Sequence, residues 1–497
     1  GVDTLIKTPI LIVGAGPTGL MLSAQLLRYG SPHVIVDKKD GVTELSKALA
    51  VQARTLEQYR QLGIADEAIA TGFVAQNMRL IVNGRERATV PFGQMGAGLS
   101  PYPFIFILEQ SQNEKLILDH VEANGGGVEW ASEIVDLQRD GSGYTGAIRR
   151  RDGSSEKFEC DYLIGCGGAS SPVRQFLGMP FRGGTNEQIF FVADIDMEIG
   201  LEKQGLLLAI NNSEFLAFFP MSRPQQYRAI GVLPPSITDP DNLTFDQLRD
   251  HIESNAGVPL KVTGHSWQAC YRVHHRIVDS FRSDNAFLVG DAAHIHSPAG
   301  GQGMNTGLGD AANLGWKLAA VVNGWCGPEI LDTYDEERRP FAVQLVHTTD
   351  RAFSMVVSKN WLPRFIRTRI VPTVMSRVLR SSTLRRLMFK TVSQTRITYR
   401  NSSLSDGSRS GSLQSGDRFP WFEWDGGNSY DWLTEPGYVV LRLGDSIACE
   451  IPGWTGPSTK ISVNGAAAAA AADAGLPRSG VIVVRPDMHI ARIINGT

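Results

Sequence analysis

The chain has 497 residues, more than one ordinary domain contains, so we expect a large core domain with one or two smaller ones. Its net charge of -3 provides no overall basic field for nucleic acid, which leaves a small molecule as the expected ligand. The five cysteines are scattered and include no Cys-x-x-Cys pair, so we expect no metal site and a reducing compartment. Because no secretory signal opens the chain, we expect a cytoplasmic protein.

One stretch near the start has the length of a membrane span. Residues 10–27 carry no charge, but Gly14, Gly16 and Pro17 interrupt the run. A strand, a tight turn and a buried helix explain this pattern better, so we expect no transmembrane segment.

The same stretch carries a dinucleotide-binding fingerprint. A β-branched run, Ile10–Val13, precedes Gly14-x-Gly16-x-x-Gly19, and a helical pattern follows that ends at Gly30. In this fingerprint the first glycine permits a tight turn, the second lets the backbone approach a pyrophosphate, and the third lets helix and strand pack closely. The free N–H groups of the helix then face the phosphates.

An acid follows at the expected distance. Asp37 ends the second predicted strand, 18 residues after Gly19, where a carboxylate binds ribose hydroxyls. The pattern alone is not specific, since residues 141–146 also match it between polar, charged flanks. We interpret that second match as a hairpin turn.

A second glycine-rich stretch, FLVGDAAHIHSPAGGQGMNTG, spans residues 287–307. A short apolar strand ends at Asp291, and four glycines precede or open a predicted helix over 308–322. A carboxylate such as Asp291 can accept hydrogen bonds from the hydroxyls of a ribityl chain, and backbone without side chains can lie against a flat ring. Both features favour FAD over NAD as the bound dinucleotide.

At these motifs the chain resembles the class A flavoprotein aromatic hydroxylases, whose fold is that of p-hydroxybenzoate hydroxylase. The motifs are GAGPTG (14–19), ARTLE (53–57), GDAAH (290–294), PAGGQGMNTG (298–307), NLGWKL (313–318) and YDEERRP (334–340). The resemblance implies an α/β fold with a Rossmann-like FAD-binding domain, an antiparallel-sheet substrate domain and a thioredoxin-like C-terminal domain. The corresponding ranges are 1–74, 111–180 and 280–395 for the first, 75–110 and 181–279 for the second, and 396–497 for the third.

The resemblance also implies which residues contact FAD. Asp37 and Lys38 would hold the adenosine ribose side, Arg54 the phosphate and ribityl region, and Asp291 the ribityl chain. The full predicted set is Gly14, Gly16, Pro17, Thr18, Gly19, Asp37, Lys38, Arg54, Gln110, Gly167, Gly290, Asp291, Pro298, Gly300, Gly301, Gly303, Met304 and Asn305. Two of these have alternatives: Arg54 as a surface helix residue, and Gln110 as a solvated cap before the Ser-x-x-Glu pattern at 111–114.

On the substrate side, the resemblance implies that Pro298 faces the substrate. Strand-like runs between 189 and 233 predict an antiparallel sheet. The resemblance implies that this sheet roofs the flavin and makes one wall of the substrate pocket, so that Phe218, Phe219 and Met221 could touch substrate. Alternating aromatics in a sheet are more often core residues. Arg272, just upstream of the second glycine-rich stretch, is a further substrate-side candidate.

One position departs from the family pattern. In YLIGCGGASSPVRQFLG, Gly167 stands where the family has an acid that serves flavin and pyridine nucleotide binding. Its loss either changes the step in which NADH or NADPH reduces the flavin, or is neutral because a water or a neighbour replaces the carboxylate.

Residues 351–405 contain no Asp or Glu and many Arg. This imbalance indicates either a membrane-surface or anionic-ligand patch, or a solvated helical face that packs on the core or on another subunit of a homodimer. The stretch 403–421 is rich in Ser and Gly and predicts a linker to the C-terminal domain, which lacks the Cys-x-x-Cys of dithiol enzymes.

By resemblance, the chain is expected to be an FAD-dependent monooxygenase that hydroxylates an aromatic small molecule with NAD(P)H and O2 through a flavin C4a-hydroperoxide. Two alternatives stay open. One is oxidative tailoring or inactivation of a polyketide or antibiotic-like substrate, and the other is a non-catalytic FAD-binding protein.

Overall fold

The computed structural model describes residues 4–44, 49–200, 205–211, 214–296, 303–447 and 449–497. Its helices are α1 (Pro17–Arg28), α2 (Ala53–Leu62), α3 (Ala65–Thr71), α4 (Gln110–Ala123), α5 (Pro172–Leu177), α6 (Phe245–Asn255), α7 (Gly303–Val322), α8 (Asp332–Val357), α9 (Trp361–Phe365), α10 (Val371–Val378), α11 (Ser382–Val392) and α12 (Gly465–Asp473).

The strands form three larger sheets and three small ones. They are β1 (Leu5–Val13), β2 (Val34–Val36), β3 (Ala50–Val51), β4 (Phe73–Ala75), β5 (Asn77–Val82), β6 (Arg85–Pro91), β7 (Ile105–Ile107), β8 (Ser132–Asp140), β9 (Gly143–Arg150), β10 (Ser155–Gly165), β11 (Arg182–Ile199), β12 (Gly205–Ile210), β13 (Phe215–Pro220), β14 (Gln226–Val232), β15 (Leu260–Ile277), β16 (Arg282–Ser283), β17 (Ala286–Leu288), β18 (His294–Ile295), β19 (Arg409–Ser410), β20 (Leu413–Gln414), β21 (Glu423–Trp424), β22 (Gly427–Asn428), β23 (Tyr438–Leu443), β24 (Ser458–Val463), β25 (Gly480–Val484) and β26 (Ile490–Asn495).

The first sheet is the parallel core of the molecule. Its order is β16-β17-β10-β1-β2, and β17, β10, β1 and β2 run parallel. The run 10–12 in β1 is fully buried, as its unbroken apolar sequence predicts for a central strand of a parallel sheet. The turn between β8 and β9 falls at 141–142, so the hairpin predicted there is confirmed.

The second sheet has the order β18-β15-β11-β14-β13-β12-β5-β6 and is antiparallel apart from the pair β12 and β5. Successive side chains point to opposite faces. One face packs on α6 through residues such as Phe218 and Ala229. The other face, which we call the inner face, carries Phe190 and Ile230 against α8, and Phe219 against the small sheet of β3, β7 and β4.

The third sheet lies in the C-terminal region, in the order β24-β23-β25-β26. β23 and β24 are parallel, and β25 and β26 add to β23 as an antiparallel pair. In the part of the chain that the structure describes, no helix connects β23 to β24, and α12 follows β24 instead. The thioredoxin-like fold of this region therefore stays a prediction.

The linker predicted over 403–421 is wrong. Ser415 and Phe419 are fully buried, and the β19–β20 hairpin packs beside β26. The hydroxyls of Ser and the small size of Gly serve packing here, so their abundance does not mark flexible chain.

After α8 the chain continues helically through α9, a π-helical turn (Ile366–Ile370) and α10, then through α11. Pro372 and Phe389 are buried and fix this segment to the body of the protein. No helix among the described residues is long and apolar enough to cross a membrane.

Candidate cofactor site

The carboxyl ends of four parallel strands meet at one edge of the first sheet. Gly14 follows β1, Asp37 follows β2, Gly167 lies two residues beyond β10, and Asp291 lies three residues beyond β17. This edge is where open α/β sheets bind their ligands. Four positions that were predicted separately from the sequence are thus brought together.

The three fingerprint glycines have distinct surroundings. Gly14 has φ +112°, and a Cβ there would lie 2.5 Å from the carbonyl carbon of Cys166. A Cβ on Gly19 would lie 1.9 Å from the Gly14 oxygen, so helix and strand could not pack. Around Gly16, by contrast, the nearest described atom to such a Cβ is a Glu114 oxygen at 3.8 Å. Two glycines therefore close the turn, and the third leaves open the surface where a pyrophosphate would lie against the N-terminus of α1.

Asp37 organises this turn. One carboxylate oxygen accepts the Ala15 N–H at 2.7 Å, and the other accepts the Lys39 N–H at 2.8 Å. The side chain is half-buried, while Lys38 is exposed. A carboxylate held in this way keeps lone pairs for ribose hydroxyls, as the fingerprint requires.

The two glycine-rich stretches meet at Thr18. A Cβ on Gly290 would lie 2.7 Å from Thr18 Oγ1, and a Cβ on Gly307 would lie 2.4 Å from it. Arg174 of α5 joins the segment after β10 to the second stretch, because its Nη1 donates to the Ala292 carbonyl oxygen at 3.2 Å. Residues far apart in the sequence therefore form one crevice.

Asp310 of α7 fixes the backbone beside Asp291. It accepts hydrogen bonds from Gly290 N at 3.2 Å and from Arg338 Nε at 2.6 Å, and it lies 2.6 Å from His294 Nε2. Burial alone would raise the pKa of Asp310, but Arg338 and His294 hold that pKa below its ordinary value. The sequence resemblance did not single out this buried carboxylate. Asp310 lies one helical turn before Asn313 of the NLGWKL motif, which is also buried, so the two side chains lie on the same, inward-facing side of α7.

The start of α7 differs from the sequence prediction. The helix begins at Gly303, five residues before the predicted Leu308, so Met304 and Asn305 are helical. The Asn305 carboxamide oxygen accepts Gln52 N and Thr55 Oγ1, each at 2.8 Å. This places the N-terminal end of α7 against α2. The predicted cofactor positions Pro298, Gly300 and Gly301 lie outside the described residues.

Glu114 is a group that sequence reasoning missed. The alternative interpretation of Gln110 took Ser111 to Glu114 as a capping pattern, but α4 begins at Gln110, and Glu114 instead reaches the fingerprint turn. Burial raises the pKa of Glu114 to about 7, and Lys39, at 3.7 Å, opposes this shift. Among the described residues, Glu114 Oε1 has no hydrogen-bond partner. A buried oxygen beside Gly16 that has the Lys39 ammonium at 3.7 Å but no hydrogen bond among the described residues fits a site that is completed by a polar ligand.

Arg54 and Gln110 remain predictions as cofactor contacts. The Arg54 side chain is buried and donates to Glu57 at 3.1 Å and to the Asp487 carbonyl oxygen at 3.0 Å. Its guanidinium thus joins α2 to the C-terminal region, which neither interpretation of the sequence anticipated. Gln110 is half-buried at the first position of α4.

Gly167 could accept a side chain only with a small shift of its neighbour. Its φ is -82°, and the nearest described atom to a Cβ would be Pro172 Cδ at 3.3 Å. The glycine is therefore not required by backbone conformation at this position. Ser171 caps α5 by accepting the Arg174 N–H at 3.2 Å.

The substrate-side candidates separate into two groups. Phe219 and Met221 lie on the inner face beside Leu49, whereas Phe218 is fully buried in the core under α6. Arg272 is exposed, and its Nη1 donates to the Glu187 carbonyl oxygen at 3.0 Å. Phe218 and Arg272 therefore do not share a pocket with Phe219 and Met221.

A buried ion pair on the inner face was not predicted. Arg228 Nε and Nη2 donate to the two Asp194 oxygens at 2.8 and 2.9 Å, and Trp267 Nε1 donates to Asp194 at 2.8 Å. Arg228 is fully buried, and among the described residues its Nη1 lacks an acceptor. Burial raises the pKa of Glu109, the neighbour of Gln110, while the charge of Arg228 lowers this pKa and the charge of Asp194 raises it. The strand alternation of QYRAIGV could have placed Arg228 inside.

The parallel sheet, the fingerprint and the second glycine-rich crevice define a dinucleotide-binding flavoprotein. A model of the FAD binding domain family matches residues 7–349. The chain belongs to this family, and the crevice residues fit FAD.

Relatives of known activity are similar to part of the chain. A 6-methylpretetramide 4-monooxygenase of Streptomyces rimosus is 35% identical over 71% of this chain and 62% of its own length. A pentachlorophenol 4-monooxygenase of Sphingobium chlorophenolicum is 32% identical over 70% of this chain and 65% of its own length. The chain thus spans less than two thirds of these relatives.

A solved structure matches over almost the whole chain. The OxyS anhydrotetracycline hydroxylase of Streptomyces rimosus has a TM-score of 0.79 and 27% identity, and the alignment covers 99% of this chain and 96% of that one. The overall fold of that structure is therefore shared with the present protein over nearly the whole chain, including the C-terminal region.

Proposed function

We propose that the protein is an FAD-dependent monooxygenase that hydroxylates an aromatic small molecule with NADH or NADPH and O2. The observation that supports this most is the meeting of Gly16, Asp37, Gly167 and Asp291 at one sheet edge, with the inner face of a second sheet nearby. When bound, FAD supplies electron transfer from the nicotinamide and activation of oxygen.

The protein's own residues would bind and orient the two partners. Asp37 holds the fingerprint turn and accepts from ribose hydroxyls, and the N-terminus of α1 faces the pyrophosphate. Asp310 holds the backbone that presents Asp291 toward the ribityl chain. Phe219 and Met221 contribute an apolar wall that keeps water away from the reacting ring.

Arg228 suggests what the ring carries. Asp194 accepts hydrogen bonds from Arg228 Nε and Nη2, whereas the buried Nη1 has no acceptor among the described residues. An aromatic substrate with a phenolic or enolic oxygen would supply that acceptor. Such an oxygen also makes the ring electron-rich, which is what hydroxylation requires.

A second candidate is oxidative tailoring or inactivation of a polyketide or antibiotic-like substrate. The relatives and the solved structure whose names refer to a pretetramide and an anhydrotetracycline favour a polycyclic substrate. A third candidate, an FAD-binding protein without turnover, is favoured only by Gly167.

The deciding experiment measures NADH and NADPH oxidation by the FAD-loaded protein while phenols, aromatic acids and polycyclic polyketides are added in turn. We expect one class to stimulate oxidation and to yield a product one oxygen atom heavier by mass spectrometry. Yellow protein that neither nucleotide reduces would instead support the binding protein.

We further propose that the protein works in the cytoplasm. All five cysteines are unpaired, which a reducing compartment permits.

A further inference from the structure

The helical segment after α8 has an unusual charge. Residues 351–405 contain twelve Arg and Lys side chains and no Asp or Glu, although the chain as a whole has a net charge of -3. We call the part from 351 to 392 the basic helical surface. Its exposed cations, such as Arg364, Arg377 and Arg386, form no ion pair among the described residues. No ion pair among the described residues therefore neutralises these cations locally.

The same surface carries most of the exposed apolar side chains. Eight of the ten large apolar residues that are at least 40% exposed in the described chain lie here. Trp361 is 76% exposed, and the others are Met355, Leu362, Phe365, Ile370, Val374, Leu384 and Leu387. Single exposed apolar residues need no explanation, but a cluster of this kind marks an interaction site.

A cavity opens within this surface. Its volume is about 260 Å³, and it is lined by Arg87 of β6 together with Thr368, Arg369, Pro372, Thr373 and Ser376. No acid lines it, and neither arginine has an ion-pair partner among the described residues. The cavity lies between β6, the π-helical turn and α10, and two arginines line it.

The inner side of the segment is firmly held. Met375 of α10 packs on Leu80 and Val82 of the second sheet. The buried Arg367 donates to the Met355 carbonyl oxygen at 3.2 Å, and Phe389 is fully buried beside Gly96. The exposed apolar side chains therefore lie on the outer side of helices whose inner side is packed against the protein.

We propose that the basic helical surface docks the protein on an anionic phospholipid bilayer. Trp361, Phe365 and their neighbours enter the interface, the surrounding arginines face the anionic headgroups, and the cavity at Arg87 and Arg369 receives a lipid phosphate. A basic surface with apolar side chains is complementary to such a bilayer in both charge and polarity. A second copy of the chain fits poorly, because a symmetric contact through this surface would bring like charges together.

This inference does not depend on the reaction proposed above. The test uses the full chain loaded with FAD and sediments it with phosphatidylcholine vesicles that contain or lack phosphatidylglycerol. We expect binding at least about tenfold stronger with phosphatidylglycerol, and its loss at about 1 M salt, where screening is nearly complete. Equal binding to both kinds of vesicle, or to neither, would overturn the proposal.

Matched variants locate the contact. Trp361→Ala combined with Phe365→Ala, and separately Arg87→Gln combined with Arg369→Gln, should each weaken binding by about tenfold. Ile447→Ala and Arg478→Gln change an equally exposed apolar residue and an exposed arginine elsewhere, and they should leave binding unchanged. Unchanged melting temperature and flavin absorbance would show that the fold is kept.

If the first pair converts a dimer to a monomer in light scattering and leaves vesicle binding unchanged, the surface is an interface between two copies and the proposal is wrong.

Discussion

At the scale of single residues, Glu114 shows how a cofactor site can depend on one proton. Its pKa is raised from 4.5 to about 7 by burial, and its carboxyl lies beside Gly16, where a pyrophosphate would approach. The protonated form contributes stability below pH 4.5, and this contribution is lost as the pH rises through about 7, because the folded chain holds the proton longer than the unfolded chain. A negatively charged Glu114 would also repel the phosphates.

We therefore expect the affinity for FAD to fall by about tenfold between pH 6 and pH 8, which corresponds to about one pKa unit of coupling. Reconstitution of the apoprotein, followed by flavin fluorescence, measures this change. In Glu114→Gln the profile should be nearly flat, while Glu122→Gln on the exposed side of α4 should behave as the native protein does. A native profile in Glu114→Gln would contradict the assignment.

Gly167 gives a second prediction at this scale. The backbone of Gly167 is not left-handed, and a Cβ there would need a shift of only a few tenths of an ångström from its nearest neighbour, Pro172 Cδ at 3.3 Å, so Gly167→Asp should fold and bind FAD. We expect flavin reduction by NADH or NADPH to accelerate by about tenfold, since a hydrogen bond to a charged group contributes about 1.5–3 kcal/mol. Rapid mixing measures the rate. Gly167→Asn, which has nearly the same volume as Gly167→Asp but no charge, shows whether the charge or the size of the new side chain causes the change. An unchanged rate in Gly167→Asp would show that the glycine is neutral.

The sequence predicted the residues whose role depends on local backbone. Gly14 and Asp37 follow strands at positions that the strand pattern itself defines, and the structure places both at the sheet edge. Glu114 and Asp310 could not be assigned in this way, because their partners come from other segments. Sequence pattern shows that a side chain faces inward but not which distant atom it meets.

At the scale of elements, the pair of Arg228 on β14 and Asp194 on β11 joins neighbouring strands of the second sheet. Removing one member leaves a buried charge, so Arg228→Met should lower the free energy of unfolding by about 3–5 kcal/mol. The double variant Arg228→Met, Asp194→Asn should recover much of the melting temperature because no charge is left unpaired.

The same two variants test the substrate role of Arg228. If its Nη1 binds a substrate oxygen, kcat/KM should stay low in the stabilised double variant. Steady-state turnover with the best substrate from the screen measures this. Recovery of kcat/KM together with stability would mean that the pair only holds the sheet.

Some element boundaries were beyond sequence reasoning. Helix α7 is already helical from Gly303, although three glycines in its first two turns, Gly303, Gly307 and Gly309, disfavour a helix. Gly307 is needed there because a Cβ would lie 2.4 Å from Thr18 Oγ1, a contact that the sequence does not reveal. Strand alternation was visible in FLAFFP, but not which face would be inner. Phe218 and Phe219 were therefore predicted together and are separated in the structure.

At the scale of the whole molecule, buried ion pairs join the C-terminal region to the flavin domain. Arg485 donates to Glu337 at 2.8 Å and to Asp487 at 2.6 Å, and Arg418 donates to Glu57 at 2.5 Å. Burial would raise the pKa of Glu337, but Arg485 and Lys317 hold it well below its ordinary value. These contacts explain why the region near 403–421 is packed and not a linker.

We expect Arg485→Met to lower stability by about 3–5 kcal/mol, because it leaves buried carboxylates without their main cation. Lys460→Met, which breaks the exposed pair with Glu450, should change stability by no more than about 1 kcal/mol. Thermal unfolding followed by calorimetry measures both. Equal shifts in the two variants would show that the buried pairs do not hold the domains together.

The position of β17 has a consequence for how the protein is made. This strand pairs with β10, and Gly290 just after it lies against Thr18, yet five of the eight strands of the second sheet, β11 to β15, are synthesised between β10 and β17. A nascent chain that has emerged only to residue 280 can form the fingerprint turn but lacks the wall that closes the crevice. FAD can therefore bind only after the inserted strands have folded and β17 has paired with β10. Binding of FAD during translation would accordingly occur late and would indicate that the protein has assembled correctly.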